Sequence, residues 1–278
     1  MTDKIELKQY ALVTGATGVT GKYFALEYAK KGVSLLLTGR GDERLAAVKE
    51  EITKQTALKD ADILCYSCDL SDADSRDGLY GFIRGNGVTV TRAALVAGVD
   101  DEGPFKDFTT DTVRKMLRVN CEATVETAGE LIKLREQTGV KNLQIIVIAS
   151  LSAYFRMPLM ALYSASKRLL YHFFLAMREE MRGTGVTFTL VLPGAVPTRP
   201  DIIERIRVQG FFGKISAVPP DILAQKSIKK AEKNRAIYVP GAFNKFLRTL
   251  SFIVPAGLVS KIAGAQWRKA LNRHKDKQ

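Results

Sequence analysis

Short apolar runs alternate along the chain with longer stretches in which apolar residues recur every three or four positions. The short runs are Tyr10–Val13, Val33–Leu37, Ile63–Ser67, Ala93–Ala97, Gln144–Ala149, Thr187–Leu192 and Ala236–Val239, and each predicts a strand. The longer stretches predict helices over Thr20–Lys31, Glu43–Thr53, Thr110–Gln137, Tyr163–Arg182 and Asp221–Asn234. Gln144–Ala149 is almost wholly apolar, as a strand covered on both faces must be. Strands alternating with helices build right-handed βαβ units, so the expected fold is α/β, a doubly wound parallel sheet of about seven strands with helices on both faces. Residues 1–242 form this single domain. The alternation breaks over 198–218, where Pro200, Gly210 and Gly213 suggest a substrate loop or lid. Residues 243–278 are a separate C-terminal extension.

Bulk composition changes this picture little, except in charge. The chain has 278 residues, 46% of them hydrophobic and 26% charged, and carries a formal net charge of +13. From Lys245 to Lys277 there are eight Lys/Arg against one acid, Asp276. Val259, Ala263, Trp267 and Leu271 follow one another at four-residue steps and share a face with Ile262 and Ala270. A basic amphipathic helix of that kind lies on an acidic membrane surface, packs on its own protein, covers a hydrophobic site or mediates dimer contacts. No stacking motif interleaves the basic residues, so nucleic acid is not an expected partner. The polar N-terminus carries no signal peptide, and Leu250–Val259, broken by Ser251 and Pro255, is too short to span a bilayer. The expectation is a cytoplasmic protein, with peripheral membrane contact through the tail as the variant. Cys65 and Cys68 have CxxC spacing without a second Cys/His pair, so no metal site is expected.

Two segments carry candidate chemistry. The first strand runs into Thr14-Gly15-Ala16-Thr17-Gly18-Val19-Thr20-Gly21 and then directly into a helix. Glycines there let the backbone approach a pyrophosphate, and the helix N-terminus offers N–H donors and a positive dipole end. Between the first strand and first helix of a βαβ unit, this turn marks a Rossmann-type dinucleotide site, with Thr14, Gly15, Thr17, Gly18, Val19 and Gly21 as contacts. The second strand ends at Thr38-Gly39-Arg40, with no acid at Thr38 or Gly39 to bind ribose hydroxyls. Arg40 is placed for a 2′-phosphate, with Arg44 or Lys22 as helpers, which favours NADP(H) although Asp42 and Glu43 follow closely. Asp69, before Leu70 at the end of the third strand, either accepts from an adenine amino group or caps the next helix, as Ser71 also could.

The second segment is Tyr163-Ser164-Ala165-Ser166-Lys167, where Tyr and Lys share one helical face. An isolated Tyr titrates near pH 10, and a neighbouring ammonium favours its phenolate. Such a Tyr exchanges a hydroxyl proton while hydride moves to or from a nicotinamide. Ser150 closes the strand Gln144–Ala149, where a hydroxyl can polarise a carbonyl, and Ser152 is its rival. Asn120 sits in mid-helix, an unfavourable place for an amide unless it has a partner.

The ordered set of Gly15, Gly18, Gly21, Asp69, Asn120, Ser150, Tyr163, Lys167, Pro193, Gly194 and Thr198 resembles the short-chain dehydrogenase/reductase family over residues 8 to about 240. The resemblance implies that Tyr163 is the acid/base, that Lys167 lowers its pKa and holds ribose, that Ser150 orients the carbonyl and that Asn120 supports a water-linked relay. It also implies that Asp69, Leu70, Ala97, Gly98, Pro193, Gly194, Val196 and Thr198 line the cofactor. From Ser150 to Thr198, with Met157-Pro158-Leu159 and Arg178-Glu179-Glu180, the chain looks like the 17-beta-hydroxysteroid dehydrogenase and long-chain 3-ketoacyl-CoA reductase branch. That implies a bulky hydrophobic ketone or alcohol as substrate, which with Arg40 makes the expectation an NADP-dependent oxidoreductase, and the family resemblance implies a homodimer or tetramer. Two positions depart from the pattern: Gly18 stands one place early, and Leu95-Val96-Ala97-Gly98 replaces the usual Asn-Asn-Ala-Gly. The second departure keeps a rival reading open, a cofactor-binding sensor or scaffold of the same fold.

Overall fold

The computed structural model describes residues 8–255 together with 257, 258, 260, 261, 264 and 265. Seven strands form one sheet: β1 (Gln9–Thr14), β2 (Ser34–Gly39), β3 (Ile63–Ser67), β4 (Thr89–Leu95), β5 (Leu143–Ile148), β6 (Val186–Val191) and β7 (Ile237–Tyr238). Every pairing is parallel, in the order β3-β2-β1-β4-β5-β6-β7. The order reverses between β1 and β4, so a crevice opens at their C-terminal ends. All of β2 is buried and only Gln9 of β1 is exposed, as strands covered on both faces require.

Successive side chains point to opposite faces and so feed two cores. Leu12, Leu36, Ala93, Ile145 and Phe188 join one cluster with Leu79 and Tyr80 of α3 (Ala73–Gly85), Leu131 of α5 (Ala123–Thr138) and Phe174 of α6 (Ala161–Glu180). Ala11, Val13, Leu35, Leu37, Ala94 and Ile146 join the other, with Phe24 of α1 (Val19–Ala29), Leu45 and Ile52 of α2 (Asp42–Gln55), and Leu223 and Ile228 of α9 (Pro220–Glu232).

Four features differ from the pattern reading. Helix α3 was not expected, because Gly78 and Gly81 break its apolar stripe. It is fixed instead by buried Arg76, which pairs with Glu122 and, at 2.7 Å, with Glu126, and donates to the Leu70 carbonyl at 2.9 Å. The single helix expected over 110–137 is two, α4 (Thr110–Leu117) and α5, joined by a π-helical turn over Arg118–Glu122. The expected loop over 198–218 contains α7 (Pro200–Val208) and α8 (Gly210–Ser216). The extension begins as α10 (Ala242–Ile253), while most of the amphipathic face, including Val259, Ala263, Trp267 and Leu271, lies outside the described residues. Among the described residues no helix is long and apolar enough to cross a membrane.

Helix α1 packs so tightly on the turn before it that a Cβ on Gly21 would stand 2.2 Å from the Gly15 carbonyl oxygen. Gly81 in α3 has nothing within 4 Å of such a Cβ. Gly21→Ala should therefore destabilise the fold by about 2–3 kcal/mol through overpacking. Gly81→Ala should stabilise it by roughly 0.5–1 kcal/mol through lower unfolded-state entropy. Urea denaturation of both variants checks this, and equal effects would show the close approach to be wrong.

Candidate active site

The crevice is built from the ends of β1, β4 and β5. Gly15 has φ +67°, and a Cβ on it would stand 3.0 Å from the Ala97 Cα, so the turn passes directly beside the end of β4. The Thr14 hydroxyl accepts hydrogen bonds from the Val96 and Ala97 amides at 3.0 and 3.2 Å. Thr14 is thus a fastener between two strand ends, which the sequence did not reveal. Leu95 is buried in one core and Val96 packs against the other. The two side chains that depart from the family pattern are therefore occupied in packing, and Thr14 fixes the backbone beside them.

Helix α1 starts at Gly18 with no side-chain cap and no acid in its first turn. A Cβ on Gly39 would stand 2.8 Å from Thr17 Oγ1, which brings the second strand against the same turn. Uncapped N–H groups, a close glycine backbone and an N-terminus without carboxylates fit a pyrophosphate. Gly18 itself has φ −91° and the backbone does not demand glycine there. Arg40 is exposed at the end of β2, and Arg44 reaches the Thr17 carbonyl at 3.4 Å. Lys22, considered above as a helper, is engaged elsewhere, holding Glu51 at 3.0 Å.

Asp69 accepts from the Ser71 amide and hydroxyl at 2.9 and 2.7 Å. Burial pushes its carboxyl up, but the Ser71 bonds and the charges of Arg40 and Lys115 outweigh this and hold it below the usual range. It does not cap α3; Asp72 does, accepting from the Asp74 amide at 3.2 Å.

The π-turn at Arg118–Glu122 aims Asn120 inward, where it is fully buried. Its Nδ2 donates to the Val99 carbonyl at 2.8 Å and Ser166 Oγ at 3.1 Å, while Oδ1 accepts from the Val99 amide at 2.8 Å. One amide thus clips the loop after β4 to helix α6. Lys167 is 4% exposed, and its ammonium donates to the Ile148 carbonyl at 3.0 Å. A Cβ on Gly98 would stand 3.2 Å from that ammonium nitrogen, so the glycine makes room for the lysine. Ser150 follows β5, its hydroxyl accepts from the Ser152 amide at 3.1 Å, and it faces the Tyr163 phenol, whose pKa it lowers. Ser152 is buried and its hydroxyl has no partner, so Ser150, not its rival, meets the tyrosine. Pro193 receives the Leu151 amide on its carbonyl at 2.8 Å. Gly194 lies against Ser216, where a Cβ would stand 2.5 Å from the Ser216 carbonyl oxygen. Val196 packs on the second core, and Thr198 is half-buried just before α7.

The electrostatics correct one expectation. Desolvation pushes the Tyr163 phenol up to about 12, opposed by the nearby Ser150 hydroxyl and only partly offset by the charges around it. The Lys167 ammonium does not depress it in this geometry. It sits 5.8 Å from the ring centroid, points to a backbone carbonyl, and is itself brought down to about 8 by burial. At neutral pH the phenol therefore holds its proton, and the lysine is a charge kept in a site that resists it.

The family model for short chain dehydrogenases matches residues 9–204. Similar curated proteins include the very-long-chain 3-oxoacyl-CoA reductase of Anas platyrhynchos, 28% identical over 72% of this chain and 63% of that protein. Another is the 11-beta-hydroxysteroid dehydrogenase-like 3 of Arabidopsis thaliana, 32% identical over 71% of this chain and 63% of that one. The chain therefore spans less than two thirds of the length of these relatives. Among solved structures, a 7beta-hydroxysteroid dehydrogenase superposes with a TM-score of 0.79 at 18% identity, covering 92% of this chain and 96% of its own. Actinorhodin polyketide ketoreductase with NADPH gives 0.74 at 21%, covering 84% and 96%.

Lys167 has a folded pKa of about 8, below its unfolded value of about 10.4, so the unfolded chain binds more protons between these values. Stability should rise with pH across that window, and the full penalty, about 3 kcal/mol, applies below pH 8. Lys167→Met removes the titration. Wild type should gain stability relative to the variant between pH 8 and 10, measured by thermal or urea denaturation; parallel curves would show that the lysine is not desolvated as described.

Proposed function

Because the chain belongs to the short chain dehydrogenase family, we propose that it transfers hydride between NADP(H) and a ketone or secondary alcohol, with Tyr163 as acid/base. The observation that carries the reading is the convergence of Ser150, Tyr163, Lys167 and Asn120 at the strand ends, across the crevice from the glycine turn. When bound there, the nicotinamide supplies the hydride. The protein's own work concerns position and protons. The Ser150 hydroxyl donates to the substrate carbonyl oxygen and polarises it. The Tyr163 phenol, protonated at neutral pH, gives its proton to the same oxygen. The Lys167 ammonium stands behind it and stabilises the phenolate that remains, a charge worth more where water is excluded. Asn120 keeps the loop after β4 and helix α6 in register, so the amide reads as a positioning group in addition to any water-linked relay.

Arg40 supports NADP(H), since an exposed guanidinium beside the turn, with no acid at Thr38 or Gly39, matches a 2′-phosphate. Names of relatives and the apolar surface of Ile203, Phe211 and Phe212 near the lid support a bulky hydrophobic substrate. Oxidation of NADPH and NADH against steroid, acyl thioester and aromatic ketones tests the reading. Tyr163→Phe should lower kcat/KM by about a hundredfold or more. Arg40→Ala should raise the KM for NADPH about tenfold or more and leave that for NADH nearly unchanged. Turnover unaffected by Tyr163→Phe would refute the acid/base assignment. No turnover with tight NADPH binding would favour the sensor or scaffold reading.

A homodimer is part of the proposal. Helices α5 and α6 leave a groove of about 270 Å3 lined by Val125, Ala128, Ile132, Phe173 and Met177, and Gly129 opens into space there. Ile132→Glu should convert the protein to monomers in sedimentation velocity; an unchanged sedimentation coefficient would place the interface elsewhere. Contact of the basic tail with acidic membrane remains a companion proposal, tested by flotation of the intact chain with acidic liposomes: absence from the floating fraction refutes it.

A further inference from the structure

Helix α7 follows the segment 193–198 at the end of β6 and buries none of its residues fully. Apolar packing therefore holds it weakly, and something else must set its position. What reaches it is charge. Asp100, on the loop after β4, gives one carboxylate oxygen to Arg199 at 2.8 Å and the other to Arg205 at 2.9 Å. Arg205 also holds Glu102 at 2.9 Å, and Asp201 bridges both arginines from within α7 at 3.1 Å. The Arg205, Asp100 and Glu102 side chains are 14%, 18% and 22% exposed, so these pairs are better shielded than ordinary surface pairs.

The anchor of this cluster is rigid. Val99 is held by two hydrogen bonds to Asn120, and the Gly103 amide donates to the Leu159 carbonyl at 2.8 Å. Leu159 holds a left-handed φ of +66°, a strained conformation for a leucine, in the loop just before Tyr163. The loop bearing Asp100 is thereby fixed at both ends to the catalytic framework. Asp100 stands two residues after Gly98, where a Cβ would lie 3.2 Å from the Lys167 ammonium nitrogen, so the loop that bears the cluster borders the reacting centre.

We infer that Asp100 is a positioning residue that clamps α7 over Tyr163 through Arg199 and Arg205, and that this ionic clamp retains the ketone substrate. The inference rests on the proposed reaction for its kinetic part and stands apart from it for its structural part. Neutralising Asp100 removes the loop's hold on Arg199 and one of its two holds on Arg205, while neutralising Glu102 removes only the other hold on Arg205, so their effects are graded. Salt acts in the same direction, because the Debye length shrinks to about 3 Å at 1 M.

Hydrogen exchange read by mass spectrometry on the full-length protein tests the structural part without any turnover. In Asp100→Asn the amides of α7 should exchange at least fivefold faster than in wild type, and those of β5 should be unchanged. Glu102→Gln should give a smaller increase, and 1 M NaCl should accelerate α7 in wild type more than in Asp100→Asn. With the best ketone of the panel and saturating NADPH, Asp100→Asn should raise the ketone KM at least fivefold. It should change the single-turnover rate of the bound complex by less than twofold. Unchanged α7 exchange in Asp100→Asn would overturn the clamp whether or not any ketone is reduced. Faster α7 exchange with KM unaltered would overturn its role in retention. If no ketone reacts while α7 exchange follows the stated order, the proposed reaction fails and the clamp on α7 stands.

Discussion

A lysine ammonium enclosed by protein is the constraint on which this site depends. Lys167 is almost without water, and a charge so placed is tolerated only where neighbouring groups answer it. The Ile148 carbonyl at the end of β5 answers one donor. Room for the head group comes from Gly98, and the position of Gly98 comes from the strand end that Thr14 fastens. The helix that carries Lys167 is held against the loop after β4 by Asn120, and Asn120 points inward because the helix before α5 opens into a π-turn. Such turns recur at functional sites because they redirect one side chain while keeping the helix. The arrangement therefore spends stability on a charge that packing alone would exclude, as sites built for chemistry commonly do.

Much of this was legible from pattern. Strands buried on both faces write themselves as apolar runs, so all seven strands were expected within a few residues of where they lie. The glycine turn is local in sequence and sits in the expected strand–helix context, whereas the Tyr163–Lys167 spacing means little alone and gains its weight from Ser150, Asn120 and the family resemblance. Ser150 was found because a strand end is a fixed place in a parallel sheet. What escaped depends on contacts between distant residues. Helix α3 is held by Arg76 meeting Glu122 and Glu126, which a one-dimensional hydrophobic pattern cannot register. The role of Thr14 is an 82-residue contact with Val96, and the pairing of Asp100 with Arg205 spans 105 residues. Proline and glycine in the lid region suggested a loop, yet Pro200 at the first turn of α7 starts a helix as readily as it ends one.

The Tyr163 reading needed correction for the same reason. Spacing puts a lysine near a tyrosine, but only the fold tells where each points and how much water each has lost. Desolvation of both groups outweighs their mutual influence, leaving the phenol protonated and the lysine still charged at neutral pH, with its pKa brought down to about 8. That state suits donation of a proton to a carbonyl. In the proposed reaction the lysine would then act chiefly once the phenolate has formed, by favouring the charged state that follows proton transfer.

The claim at the centre of this account is that one hydride and one proton reach a carbonyl at the same place. Single-turnover reaction of the protein with a reducible ketone and NADPH deuterated at the nicotinamide C4, in both stereoisomeric forms, measures this directly by product mass. The account predicts one deuterium on the carbinol carbon from one stereoisomer alone, with the transfer lost in Tyr163→Phe. Product without deuterium from either form, or transfer that survives in Tyr163→Phe undiminished, would contradict it.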